Sequence, residues 1–159
     1  MKTILTLSLV VCGACAEPSQ FLGSFEGSAE AVLTPDGATG SSEIVIGDVL
    51  VNGFDISQDS DRGPSDFYFD IDGLGSVDLT CNLEGDSDGS TASISREFES
   101  SCSLMVENQP AFDLDQPVGL ATRTGNVLTI EVSGEFTGPG SEGAFSLTVR
   151  ADFIEGTNP

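Results

Sequence analysis

From Phe21 onward the chain alternates apolar and polar residues with a period of two. Phe21, Gly23, Phe25, Gly27, Ala29, Ala31 and Leu33 fall on one side of an extended segment. Ser24, Glu26, Ser28 and Glu30 fall on the other, which predicts a strand covered on one face. Phe67, Phe69 and Ile71 alternate with Asp66, Tyr68, Asp70 and Asp72, and Val77, Leu79, Cys81 and Leu83 with Ser76, Asp78, Thr80 and Asn82. Phe145, Leu147, Val149, Ala151 and Phe153 repeat the pattern near the C-terminus. Residues 43–51 (EIVIGDVLV) are apolar at both parities, which predicts the most covered strand. No stripe of period 3.6 is visible after the first sixteen residues.

Turn chemistry separates these runs. Pro35-Asp36-Gly37 and Asn52-Gly53 predict turns, the second a two-residue hairpin. A three-residue turn at Gly73-Leu74-Gly75 sets Ile71 opposite Val77, Phe69 opposite Leu79 and Asp70 opposite Asp78. A turn at Thr124-Gly125-Asn126 pairs Leu120 with Ile130 and Val118 with Val132. The result is an all-β, single antiparallel domain of about eight to ten strands over 21–154, with a C-terminal tail at 155–159. A meander barrel closed by its first and last strands is preferred, and a two-sheet β-sandwich is the alternative. Gly23-Ser24-Phe25, opening a long first strand, resembles the Gly-x-Trp start of lipocalin-like barrels, with Phe25 where that family carries Trp. The resemblance covers three residues. It implies a small apolar ligand held inside, framed by Phe21, Phe25, Phe67 and Phe69.

The N-terminus departs from this pattern. Lys2 precedes an uncharged, mainly apolar run from Ile4 to Val11, too short to span a bilayer but suited to the core of a secretory signal peptide over 1–14. Gly13-Ala14-Cys15 resembles the end of a bacterial lipobox, with Cys12 at its usual aliphatic position, and implies lipidation of Cys15. Ala16 after that cysteine implies sorting to the outer membrane, with residues 15–20 as a tether. Ala14-Cys15-Ala16 also fits an ordinary signal-peptidase site, which would leave a periplasmic or secreted chain. Both leave Cys81 and Cys102 as the thiols outside the processing region, the number needed for one disulfide in an oxidising compartment.

Composition narrows the chemistry. The 159 residues carry 26 Asp and Glu against five Lys and Arg, a formal charge of −21, and contain no His. Histidine-dependent nucleophilic triads and His-ligated metals are therefore excluded. Nucleic acid is not an expected partner, because its phosphates need clustered cations. Lys2 is the sole lysine and would leave with the signal.

Four groups of residues carry candidate chemistry. Glu84, Asp86 and Asp88 in Glu84-Gly85-Asp86-Ser87-Asp88-Gly89 space oxygen ligands as in the first half of an EF-hand-type calcium loop, although Ser95 stands where the bidentate Glu would be. The predicted register brings Asp70, Asp72 and Asp78 together, a second candidate for a cation or a cationic ligand beside Tyr68. Arg96 shares parity with Ala92 and Ile94 and could hold an anionic group inside a barrel. Arg123 and Arg150 read as outward partners of neighbouring acids. The expected role is non-catalytic: a binding or structural module at the cell envelope, without a required cofactor. Calcium-assisted adhesion or assembly and a carboxylate-based hydrolase are the alternatives.

Overall fold

The computed structural model describes residues 20–55, 66–95, 99–107 and 111–156. These form nine antiparallel strands and, among the described residues, no helix. In chain order they are β1 (Gly23–Pro35), β2 (Ser42–Asp55), β3 (Asp66–Leu74), β4 (Val77–Asp88), β5 (Thr91–Ile94), β6 (Ser101–Val106), β7 (Phe112–Thr124), β8 (Val127–Gly138) and β9 (Ser141–Phe153). Each strand pairs with its sequence neighbour except β5 and β6, and β9 returns to pair with β1 from Phe25–Phe153 to Pro35–Gly143. Both β5 and β6 lie between β4 and β7, so nine strands fill eight positions of a closed meander barrel. The barrel expectation holds, and closure leaves no free sheet edge along β1 and β9.

The strands are staggered. A path from Phe25 through Val51, Ile71, Cys81, Cys102, Leu114, Phe136 and Gly143 re-enters β1 at Pro35, ten residues along. An eight-position barrel of this kind has an interior that side chains can fill. Here the β1 residues Phe25, Ala29, Ala31 and Leu33 point in, as do Phe145, Leu147, Val149 and Ala151 of β9. Among the described residues no polar or charged side chain is buried. Each large side chain so buried contributes about 1.5–3 kcal/mol of transfer free energy. Cys81 and Cys102 face each other on β4 and β6, Cα–Cα 4.1 Å, and form the disulfide inside the barrel.

Four local expectations are corrected. Asn52-Gly53 is not a turn, because β2 runs straight through it to Asp55. Gly53 is needed for another reason: a Cβ there would collide with the Phe21 carbonyl oxygen, where the entering chain crosses the barrel end. Residues 43–51 are not covered on both faces, since Val45 is 63% exposed. A bulge opposite Gly27–Ala29 shifts the parity of β2, so that Ile46 before it and Val49 and Val51 after it all point inward.

The other two concern register. The β3–β4 ladder closes at Asp72–Thr80 instead of Ile71–Val77, placing Ile71 opposite Cys81 and Phe69 opposite Leu83. The strand ends splay because Leu74 pairs with Asp48 of β2 while Val77 pairs with Val106 of β6. This slip is an even number of residues, so every inward residue stays inward. At β7–β8 the turn has two residues, Gly125 and Asn126, with Gly125 at φ 61°. That shifts the register by one and leaves Leu120 48% exposed while Ala121 is buried opposite Ile130. A bulge between Asp115 and Val118 restores Leu114 to the interior.

Candidate functional site

Most outward positions on β8 and β9 follow the simple rule of polar, exposed residues. On β9, Ser146, Thr148, Arg150 and Asp152 are all exposed. The outside of β2 and β3 is different. Leu50, Asn52 and Phe54 of β2 stand beside Asp72, Asp70 and Tyr68 of β3, and of these only Phe54 is exposed; the rest are half-buried. Large side chains crowd one another here, as the Phe54 and Tyr68 rings do at 6.2 Å.

Hydrogen bonds fix a polar row across this wall. Ser24, Asn52, Asp70 and Asn82 lie directly opposite one another on β1 to β4. The Ser24 hydroxyl donates to Asn52 Oδ1 at 2.7 Å, and the Tyr68 hydroxyl donates to Asn82 Oδ1. Asp70 is thus flanked by two amides and sits one outward step from Asp72. Burial, and secondarily the Asp72 charge, raise the Asp70 carboxyl above the ordinary aspartate value. Burial also raises the Tyr68 phenol, with Asp70, Glu84 and Asp72 adding to it.

Beside this row, the β2 bulge opens an outer groove of about 510 Å³, lined by Glu26, Gly27, Asp48, Val49, Leu50 and Leu74. Leu50 lies between Glu26 and Asp72, and Leu74 lies opposite Asp48. Apolar side chains and carboxylates therefore alternate in both directions. Among the described residues, three of the four exposed large hydrophobics, Val45, Phe54 and Leu74, belong to β2 and β3.

The remaining candidate residues are dispersed. Asp78 lies opposite Met105, not Asp70, and lines a separate rim cleft with Gly75, Ser76 and Glu107. The register slip separates that predicted cluster. Residues Glu84, Gly85 and Asp86 are extended within β4, so the segment does not curl around an ion as a calcium loop must. Gly85 points inward, where a Cβ would collide with the Ser93 carbonyl oxygen. The opposed acids of the β3–β4 ladder are Asp66 and Asp86. Among the described residues, no group of three or more Cys, Asp and Glu is placed to hold a metal ion.

Phe67 and Phe69 pack against each other at 4.8 Å and against Phe21 at 5.6 and 5.7 Å. Phe25 meets Phe153 at 5.4 Å. Arg123 is not a partner of neighbouring acids as expected. Its guanidinium lies over Phe153 at 4.8 Å and Phe25 at 5.3 Å, and donates to the carbonyls of Gln20 and Gly125. Cys15 and Arg96 lie outside the described residues.

The β2–β3 outer wall was not singled out from sequence beyond Tyr68 and its acids. The available signal was the apolar parity break at Val45 and Leu50. Comparison with protein-family models, curated proteins and solved structures finds no match.

Proposed function

We propose that this chain is an exported, lipid-anchored barrel module with a non-catalytic binding role at the outer envelope, working from its outer surface. The observation that carries this reading is how the interior aromatics are used. Phe25, Phe67 and Phe69, which would frame an enclosed ligand, are at most 1% exposed and pack on neighbouring rings. An enclosed small molecule also needs a few polar groups to orient it. The described core supplies apolar side chains alone. Anchoring rests on the Gly13-Ala14-Cys15 pattern, and export is supported by the Cys81–Cys102 disulfide, a bond suited to oxidising compartments.

Native mass spectrometry of protein purified from its own membrane fraction tests the proposal. The expected species starts at a lipid-modified Cys15, keeps the disulfide and carries no small molecule. An unmodified chain starting at Glu17 would remove the anchor. A co-purified apolar molecule that protects Phe67 and Phe69 would place the ligand inside the barrel instead.

A further inference from the structure

We infer that the outer wall of β2 and β3, with the groove beside it, docks a basic protein segment in which apolar side chains alternate with Lys or Arg. The inference rests on the proposed outside-acting role and assigns its surface and partner chemistry. Charge is the first ground. Strands β2, β3 and β4 together contain ten Asp and Glu and no Lys, Arg or His. Asp70 and Asp72 stand on the same face of β3 with no described cation on the adjoining strands. A cationic partner would offset the repulsion between Asp70 and Asp72, which no described residue of β2, β3 or β4 offsets.

Shape is the second ground. An acidic coat that served solubility alone would need no hydrophobic side chains among its charges. Here Leu50 and Leu74 line the groove while Glu26 and Asp48 rim it. An apolar side chain seated between the two leucines would put flanking ammonium or guanidinium groups within reach of Asp48, Glu26 and Asp72. The mode of contact follows from the fold. Because Val49–Gly53 of β2 is paired on both sides, by β1 and β3, and Phe67–Asp72 of β3 by β2 and β4, the partner cannot add a strand across this wall. It must meet the wall side chain to side chain.

The direct test titrates the full, processed protein with two fluorescent synthetic peptides of equal charge, one repeating Lys-Leu-Lys-Gly and one Lys-Gly-Lys-Gly. The leucine peptide is expected to bind saturably and about tenfold more tightly, the scale of one well-seated apolar anchor. Leu50→Ser with Leu74→Ser should erase that advantage. Should the double variant lose its fold, Leu74→Ser alone carries the test, because Leu74 is 60% exposed. Asp70→Asn with Asp72→Asn should weaken binding about tenfold. Glu131→Gln with Glu135→Gln removes the same charge from the exposed face of β8, four positions around the barrel, and should change binding by less than about twofold.

Equal weakening by the two charge-removing pairs would show diffuse attraction to an acidic surface and overturn the inference. Equal affinity for the two peptides would also overturn it. So would saturable binding of cellohexaose that is lost on Phe54→Ser, which would make the wall a saccharide platform. These failures leave the outside-acting role standing, whereas a small molecule found inside the barrel removes that role first.

Discussion

Strands β3 and β9 present the same face to the core and opposite faces to water. Inside, Phe67, Phe69 and Ile71 are as completely buried as Leu147, Val149 and Ala151. Outside, β9 alternates buried with exposed residues from Phe145 to Asp152, whereas Tyr68, Asp70 and Asp72 of β3 are half-buried. The charge differs as well. Strands β7 to β9 hold six acids with two arginines, while β2 to β4 hold ten acids and no base. A barrel needs inward apolar residues all the way round, so the interior is uniform by necessity. Nothing in the fold requires one outer wall to be crowded, studded with apolar side chains and built from strands without lysine or arginine, and that wall is where a specific role can be sought.

The largest expected effects test the uniform half of this comparison. Phe69→Ala on β3 and Phe145→Ala on β9 should each cost about 3–5 kcal/mol in denaturant unfolding. A markedly smaller loss at Phe69 would mean that the β2–β3 side of the core is loosely filled and could admit a ligand. Next comes the disulfide. Replacing Cys81 and Cys102 by Ser should cost about 3 kcal/mol, because the bond closes a loop with a sequence separation of 21. An unchanged unfolding midpoint would show that the β4–β6 pairing holds without it.

Smaller effects probe the outer walls. Leu74→Ser should change stability by less than about 0.5 kcal/mol while abolishing the preference for an apolar basic peptide. A large stability loss would make Leu74 structural and dissolve the contrast with β9. Asp70→Asn should raise the melting temperature at pH 7 by about 1–2 °C, a small gain because the carboxyl keeps much of its solvent. The sign follows from its raised pKa. The folded protein holds the Asp70 proton more tightly than the unfolded chain does. Stability is therefore lost as pH rises from the ordinary aspartate range through the raised value, and the asparagine variant does not suffer that loss. Below the ordinary carboxylate range the two proteins should melt alike. The same substitution should lower the ionisation midpoint of Tyr68 in an absorbance titration, but only part of the way to the ordinary tyrosine value, since burial is the larger cause.

Sequence period carried the fold a long way because side-chain parity decides which face is buried, and parity survives many errors of detail. The even β3–β4 slip moved Phe69 from Leu79 to Leu83 without exposing either residue. Odd shifts are different. The two-residue turn at Gly125-Asn126 placed Leu120 outside, and the bulge in β2 made a one-faced strand look apolar on both sides. Asn52-Gly53 resembled a hairpin because its local chemistry suits one, yet long-range crowding by Phe21 fixes the glycine. Asp70 and Tyr68 were visible as candidates, but their neighbours were not. Asn82 comes to Tyr68, and Asp78 leaves Asp70, through a register that no local pattern encodes.

Tyr68 is the sole tyrosine of a chain without tryptophan, so its emission reports on the β2–β3 wall alone. Acrylamide quenching of that emission, with and without saturating Lys-Leu-Lys-Gly peptide, measures directly whether a partner covers the wall. Quenching should fall by about half in the complex, and the Asp70→Asn, Asp72→Asn variant should need about tenfold more peptide for the same fall. Full quenching of Tyr68 in a complex already saturated by anisotropy would place the partner elsewhere on the barrel and contradict a functional outer wall at β2 and β3.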